Sequence, residues 1–129
     1  MRVVIFGSRG LRDYDALEAA MEDARLILGI EPTVVLSGAE PTGVDAMGER
    51  WAQERGIPVE LHTADWVRFP KTGGMIRNAH MGSRCDAGVG LMTRGGTPGS
   101  RNMASILQKR KLPLWVAEVD APAWVTGHA

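Results

Sequence analysis

The chain has 129 residues, of which 44% are hydrophobic, and its 15 basic residues equal its 15 acidic ones. This length fits one α/β domain and predicts no second one, and the neutral formal charge argues against a protein that binds nucleic acid regardless of sequence. Cys85 is the single cysteine, which excludes an internal disulfide. Arginine nevertheless supplies twelve of the fifteen basic residues. Its planar guanidinium suits phosphate or carboxylate, so we expect a localised anion site.

Short apolar runs alternate with amphipathic segments along the chain. In order, the pattern predicts strand 3–6, helix 14–28, strand 33–36, a helix from about 44 that ends before Gly56, strand 59–62, helix 75–84, strand 87–91, helix 98–109 and strand 114–117. A capping box from Asp15 to Glu18 is predicted to begin the first helix, and Gly29 to end it. This alternation predicts an α/β fold, a single Rossmann-like, doubly wound parallel sheet of about five strands flanked by helices. We assign residues 1–118 to this domain and 119–129, with Trp124, to a C-terminal tail.

Glycine-rich segments follow three of the predicted strands, at residues 7–10, 37–45 and 93–102. The carboxyl ends of parallel strands share one edge of the sheet, where ligands of such folds bind. Glycine lets the backbone approach a ligand, and amides at the start of a following helix bind anionic oxygens. We therefore expect a phosphate-sized site at this edge.

The common nucleotide fingerprints are absent. Gly38 and Gly43 have the glycine spacing of a P-loop, but Val44 and Asp45 stand where lysine and serine or threonine would bind phosphate and magnesium. No Gly-x-Gly-x-x-Gly opens the first helix. These departures disfavour an ATPase and a conventional NAD or FAD site.

Several of these motifs, taken together, resemble the SLOG superfamily of Rossmann-like nucleotide-ligand proteins (the Smf/DprA–LOG group), and within it the small, single-domain YpsA-related branch. The motifs are Gly7-Ser8-Arg9, Ser37-Gly38-Ala39 with Gly43-Val44-Asp45 and Trp51-Ala52, Ala64-Asp65-Trp66, Ile76-Arg77-Asn78 with Met81, and Gly96-Thr97-Pro98-Gly99-Ser100-Arg101-Asn102-Met103. The resemblance covers nearly the whole chain. It implies a protein that binds a nucleotide or nucleotide-derived small molecule, often as a homo-oligomer, without implying one reaction.

Two relatives within the superfamily define the alternatives. LOG-type phosphoribohydrolases cleave the N-glycosidic bond of a nucleoside monophosphate, but the glutamate of their last glycine-rich loop is missing from residues 99–103. A LOG-like reaction would therefore need another acid, with Asp45 and Asp65 as candidates. Residues 37–45 also look like the Ser-Gly-x-Ala-x-Gly-Ile-Asp stretch of DprA, a single-stranded DNA binder, with one extra residue in the loop. The neutral charge and the lack of further aromatic platforms disfavour extended strand binding.

We expect the ligand site to be built from residues of all these segments. Arg9, Arg77 and Arg101 are predicted to hold a phosphate, Ser37 and Ser100 to add hydroxyl contacts, and Asp45 to accept from ribose or base. The full predicted set is Gly7, Ser8, Arg9, Ser37, Gly38, Gly43, Asp45, Lys71, Arg77, Asn78, Gly96, Thr97, Gly99, Ser100 and Arg101. Asp45 is also the candidate catalytic residue if the protein is an enzyme.

Some of these residues have purely structural interpretations that the sequence leaves open. Asp45 completes a possible capping box with Thr42, and Thr97 before Pro98 is a good helix start in its own right. Trp66 either stacks on a base or covers the core. Lys71 and Arg77 flank the start of the third helix, where basic groups are unfavourable unless an anion is present.

Other residues are expected to be structural. Trp51 and Trp115 are predicted core residues, Cys85 is a predicted small buried hydrophobe, and His80 has no partner that suggests catalysis. We expect no required cofactor and no metal. A cytoplasmic location is predicted, because no run approaches about 18 apolar residues and the N-terminus lacks a signal-peptide pattern. The predicted partners are a small nucleotide ligand and further copies of the chain, with neither nucleic acid nor membrane.

Overall fold

The structure, a computed structural model that describes residues 1–120, is a five-stranded parallel sheet with helices on both faces. In chain order the elements are β1 (Arg2–Gly7), α1 (Tyr14–Leu28), β2 (Val34–Ser37), α2 (Gly43–Glu54), β3 (Val59–Leu61), α3 (Gly73–Arg84), β4 (Ala87–Thr93), α4 (Pro98–Lys109) and β5 (Leu114–Val119). The α/β class and the alternation predicted from the sequence are confirmed. Residues 121–129, most of the predicted tail and with them Trp124, lie outside the described residues.

The order of the strands determines where a ligand can bind. The sheet runs β3-β2-β1-β4-β5, and every neighbouring pair is parallel. The chain therefore builds one half outward from β1 to β3, then returns to the middle and builds the other half from β4. In open parallel sheets the crevice at this reversal, beyond the carboxyl ends of the central strands, is the usual ligand site.

The two faces of the sheet bury separate apolar layers. Successive side chains of a strand point to opposite faces, so Ile5 packs into the layer under α1 and α2, whereas Phe6 packs into the layer under α3 and α4. Both layers are closed by large side chains, among them Leu17 on the first face and Leu107 on the second, each with no exposed surface. This burial on both faces explains why the strands are short apolar runs rather than alternating ones.

The first helix begins differently from the sequence prediction. Its N-cap is Asp13, whose Oδ1 accepts from the amide of Ala16 at 3.0 Å, so the predicted capping box from Asp15 to Glu18 is wrong. Asp13 stands three residues before a free first-turn amide, which its short side chain can reach directly. Gly29 ends the helix in the left-handed conformation, as predicted.

The predicted structural residues are largely where the sequence placed them. Trp51 and Cys85 are buried, and Trp115 is partly buried against the same core layer as Trp51. His80 is exposed. Within residues 1–120, none of the helices combines the length and the apolar character that crossing a bilayer requires.

Candidate ligand site at the carboxyl edge of the sheet

A cavity of about 410 Å³ opens beyond the carboxyl ends of the central strands. Ligand sites for small molecules commonly have volumes of about 300–1,000 Å³, so this cavity has room for a mononucleotide-sized molecule. It receives residues from the loops after β1 and β2, from the segment before α3, from α3 itself and from the start of α4. The lining residues are Phe6, Gly7, Arg9, Gly38, Glu40, Asp45, Trp66, Lys71, Gly74, Met75, Arg77, Asn78, Met81, Thr97, Pro98, Gly99, Ser100 and Met103.

Two arginines meet at one carboxylate inside this cavity. The guanidinium of Arg9, from the loop after β1, lies 3.0 Å from Oε1 of Glu40, and that of Arg77, from the first turns of α3, lies 3.1 Å from the same oxygen. Arg77 also donates to the carbonyl of Gly38 at 3.1 Å. The Arg77 and Glu40 side chains are only 10% and 17% exposed, whereas that of Arg9 is 42% exposed. The Arg77–Glu40 pair is therefore partly desolvated, and Arg9 joins it from the solvent side.

Gly38 leaves the space that these charged groups occupy. A Cβ atom at this position would lie 2.8 Å from Oδ2 of Asp45 and 3.2 Å from the guanidinium carbon of Arg77. Any side chain here would push one of them away. Gly38 thus leaves room for the present positions of Asp45 and Arg77, and its backbone carbonyl accepts from Arg77.

Asp45 lies in the first turn of α2 and is almost completely buried. Burial raises the pKa of its carboxyl group from the ordinary value to about 6, although the amide of Glu40, which donates to Oδ2 at 3.2 Å, and the charge of Arg77 act to lower it. The possible capping box with Thr42 does not form, since Thr42 makes no side-chain capping bond to α2. Its hydroxyl donates to the carbonyl of Arg9. A buried carboxyl group in a cleft with such a shifted pKa is typical of a functional site.

The opposite wall is formed where α3 packs against the start of α4. Asn78 is buried and its amide nitrogen donates to the carbonyl of Gly99 at 3.2 Å and to Oδ1 of Asn102 at 3.1 Å. Thr97 caps α4 by accepting from the amide of Ser100, as predicted. Since Pro98 has no N–H, the Gly99 amide is the first-turn donor that remains for an acceptor in the cavity.

Trp66 forms an aromatic part of the lining. Its indole lies against the start of α3, where Cβ atoms on Gly73 and Gly74 would come within 3.2 and 3.1 Å of the ring. The guanidinium of Arg9 lies 5.6 Å from the ring centroid, within cation–π range. Trp66 is 42% exposed, belongs to neither core cluster and lines the cavity. Lys71 lies nearby and is exposed.

Ten of the fifteen predicted site residues line the cavity. They are Gly7, Arg9, Gly38, Asp45, Lys71, Arg77, Asn78, Thr97, Gly99 and Ser100. The structure thus brings together all three predicted glycine-rich loops at one edge of the sheet.

The other five predicted residues are not part of the lining. Ser8 and Ser37 are buried and bonded elsewhere: Ser8 Oγ accepts from the amide of Thr93, and Ser37 Oγ donates to Glu49 Oε2 at 2.7 Å. Arg101, predicted to hold phosphate, donates to the carbonyls of residues 95 and 96. It therefore secures the loop after β4, in which Gly96 has a positive φ of 69°.

Gly43, the fifth of these residues, joins two loops. It has a φ of 75°, and a Cβ atom there would lie 2.3–2.4 Å from the carbonyl oxygens of Arg9 and Ser8. The amide of Val44 donates to Ser8 and the hydroxyl of Thr42 to Arg9. The loops after β1 and β2 are consequently packed directly on each other.

Sequence reasoning missed Glu40 and most of the apolar lining. Glu40 was within the segment 37–45 that the sequence singled out, but a search for cations that bind an anion gives no reason to select a carboxylate. The apolar residues Phe6, Met75, Met81 and Met103 follow strand or helix periodicity, which does not separate core from cavity lining. Of the two candidate acids, Asp45 lines the cavity and Asp65 does not. Asp65 is exposed and accepts from the amide of Arg68.

No group of three or more histidine, cysteine or acidic side chains within residues 1–120 is arranged to hold a metal ion. The donors that face the cavity are guanidinium, ammonium, amide and hydroxyl groups, which suit an anionic organic ligand.

Comparisons with known proteins agree with this architecture. The model of the YspA, cpYpsA-related SLOG family (YAcAr) matches residues 1–69, the part of the chain that supplies Arg9, Gly38, Glu40, Asp45 and Trp66. The gene 61 protein of Mycobacterium phage D29 is 34% identical over 119 residues, which cover 88% of this chain and 93% of the phage protein. No solved structure matches.

Proposed function

Because the chain belongs to the YspA, cpYpsA-related SLOG family, we propose that it binds a nucleotide or nucleotide-derived small molecule in the cavity at the carboxyl edge of the sheet. The observation that carries this proposal is the convergence of Arg9, Lys71 and Arg77 with the ring of Trp66 on one cavity at the strand-order reversal. Guanidinium groups suit phosphate oxygens, and an exposed indole suits a nucleobase.

The start of α4 supports the same assignment. Gly99 and Ser100 line the cavity together with Arg9, so a ligand with several anionic oxygens would meet donors from the start of α4 as well as from the arginines. Binding of this kind needs no cofactor and no catalytic group. A sensor or a sequestering protein for a signalling nucleotide is therefore the function that we favour.

A thermal-shift screen of the purified protein against mononucleotides, dinucleotides, cyclic nucleotides and ADP-ribose tests the proposal. A ligand at about a hundred times its Kd adds roughly 2.7 kcal/mol to the free energy of unfolding, which moves the midpoint of a domain this size by several degrees. We expect the shift to disappear in Arg9→Ala and to persist in Arg55→Ala, whose guanidinium lies over Trp51 at the other end of the sheet. A screen without any shift would contradict nucleotide binding.

One observation favours a second candidate function, hydrolysis of a nucleotide N-glycosidic bond. Asp45 faces the cavity and its pKa is raised to about 6, so a fraction of the carboxyl groups carries a proton near neutral pH and can act as a general acid. Incubation with a nucleoside monophosphate would then release free base and ribose 5-phosphate. We expect Asp45→Asn to abolish this release while retaining ligand binding, and unchanged turnover would exclude Asp45 from the reaction.

We also propose that the protein is a cytoplasmic homo-oligomer, as the family resemblance and the sequence imply. Light scattering on the eluted protein gives its mass directly. A mass of one chain would contradict the oligomer.

A further inference from the structure

A single carboxylate oxygen of Glu40 pairs with two arginines. Its Oε1 serves both guanidiniums, at 3.0 Å from Arg9 and 3.1 Å from Arg77. Each guanidinium has five N–H donors, so the pair offers more donors than one carboxylate oxygen can satisfy. The position of Oε1 is therefore one where an anionic oxygen receives hydrogen bonds from both arginines.

The charges of the cavity indicate which anion fits there better than Glu40. Three cationic side chains line the cavity, Arg9, Lys71 and Arg77, against the carboxyl groups of Glu40 and Asp45. If the Glu40 carboxylate leaves and Asp45 is ionised, two positive charges remain in excess. A phosphate monoester carries about −1.5 to −2 charge near pH 7 and three acceptor oxygens. The charge of a phosphate monoester therefore balances the two excess positive charges. A phosphodiester has one negative charge, which is no more than the Glu40 carboxylate already supplies.

The Glu40 carboxylate can leave without dismantling the loop that carries it. The loop is anchored through the backbone, because the amide of Glu40 donates to Asp45 and the amide of Ala39 to Ser37. The glutamate side chain has three rotatable bonds, and the next residues, Pro41 and Thr42, are exposed. Rotation of the side chain toward solvent leaves both anchoring bonds in place.

We propose that Glu40 occupies the position of the ligand's terminal phosphate before the ligand binds, and that binding exchanges the carboxylate for a phosphate monoester. This inference rests on the proposed function and adds to it the ligand class, a nucleotide with a terminal phosphate rather than a cyclic or internal phosphodiester. Glu40 acts as a competitor held permanently beside the site. It lowers the affinity for every anion by a similar factor, so singly charged anions, which bind these cations less strongly to begin with, fall below detection first.

Calorimetric titration of Glu40→Gln and the wild-type protein with inorganic phosphate, AMP and cyclic AMP tests the exchange. Glutamine keeps the size of the side chain and removes its charge. We expect phosphate and AMP to bind Glu40→Gln at least tenfold more tightly than wild type. We also expect cyclic AMP, which binds the wild-type protein weakly or not at all, to become detectable in the variant.

Glu49→Gln is the matched control. Glu49 accepts from Ser37 behind the cavity lining and forms no ion pair with Arg9 or Arg77, so the variant removes an equal charge nearby without freeing the arginines. We expect its affinity for phosphate to stay within about twofold of wild type, because screening weakens charge effects over distance. An equal gain of phosphate affinity in both variants would mean that the loss of any nearby negative charge strengthens binding, and it would overturn the exchange.

The outcomes separate this inference from the proposed function. Nucleotide binding that is unchanged or weaker in Glu40→Gln would overturn the exchange and leave nucleotide binding standing, since Glu40 would then be a brace or a ligand contact. Failure of wild type and variant to bind any of the three probes would overturn both. If Glu40→Gln does not fold, Glu40→Ala takes its place. In the wild-type protein itself, phosphate must shift the carboxylate ¹³C resonance of Glu40, and an unmoved resonance at saturation would contradict its departure.

Discussion

Each end of the sheet has a hollow in which an arginine lies over a tryptophan. The two ends differ in how deeply their charged side chains are buried. At the amino end a hollow of about 520 Å³ is lined by the helix surfaces around Trp51, with Arg55 lying 4.4 Å from the centroid of that ring. At the carboxyl end the cavity holds Trp66 and Arg9. The two hollows are similar in size, so volume alone does not identify the functional one.

The burial of the charged groups explains the difference. At the amino end, Arg25 pairs with Glu22 and Arg55 with Glu18, and all four side chains are 38–54% exposed. Such pairs contribute little because water screens them. At the carboxyl end Arg9 is also 42% exposed, but Arg77 and Asp45 are largely buried, so the charges of these two act on anything that enters the cavity. The comparison teaches that a binding site is recognised by desolvated, convergent charge rather than by the number of arginines.

The two tryptophans provide the largest expected contrast. Trp51→Ala removes a ring that is 8% exposed and should lower the free energy of unfolding by about 3–5 kcal/mol, with the affinity for AMP unchanged in the folded protein. Trp66→Ala should cost far less stability and weaken AMP binding about tenfold, since stacking on a base contributes roughly 1–3 kcal/mol. Urea denaturation and calorimetry measure the two effects. If Trp66→Ala lowers the free energy of unfolding more than Trp51→Ala does, the contrast between a structural and a ligand-contacting tryptophan is wrong.

Asp45 should make stability depend on pH. Its pKa is about 6 in the folded protein against an unfolded value near 3.9, so folding takes up a proton between these values and stability falls as pH rises from about 4 to 6. Two pKa units correspond to about 3 kcal/mol. We expect Asp45→Asn to be more stable than wild type above pH 6 by up to about that amount, and to approach wild type near pH 4.

Chemical denaturation across pH 4–8 measures this slope. Glu18→Gln, at the amino end, supplies the control, because Glu18 is half exposed and paired with Arg55 at the surface. Its variant should keep the wild-type slope. A slope that persists in Asp45→Asn would assign the pH dependence to another group.

Alanine substitutions at one glycine of the site and one glycine outside it are expected to have the smallest effects. Gly38→Ala places a methyl group against Asp45 and Arg77 and should lower the free energy of unfolding by about 1–3 kcal/mol. It should also weaken ligand binding. Gly29→Ala meets no atom within 4 Å but must adopt a φ of 67°, which costs about 1–2 kcal/mol and leaves binding intact. Denaturation and thermal-shift titration of both variants distinguish lost space from backbone strain. Retained binding in Gly38→Ala would show that the site tolerates the methyl group.

The sequence predicted the fold well because each element had its own local signal. Thr97 before Pro98 marked the start of α4, and Gly29 marked the end of α1. The N-cap of α1 was missed because Asp13 and Asp15 both satisfy local capping rules, and only the path of the loop selects between them. Strand order had no such signal, since hydrophobic periodicity does not show which strands are neighbours.

The candidate site was predicted in outline and not in its charge balance. Arg9, Arg77 and Asp45 follow from their place after strands or at helix starts. Glu40 does not, because its role depends on Arg77, 37 residues away in the chain, and a contact of that separation is not visible in a local pattern. Arg101 shows the converse, since its position suggested a ligand contact whereas its guanidinium faces carbonyls of its own loop.

The packing of Gly43 against the loop after β1 has a mechanical consequence. It makes the loops after β1 and β2 one rigid half of the cleft, while the bonds of Asn78 join α3 and α4 into a second half. Arg77 bridges the halves through its contacts with Gly38 and Glu40. A phosphate bound between Arg9 and Arg77 would cross-link the same two halves by a noncovalent bridge. Because the phosphate takes the place of the Glu40 carboxylate and offers more acceptor oxygens, we expect amide hydrogens in the first turns of α3 to exchange more slowly with ligand than without it.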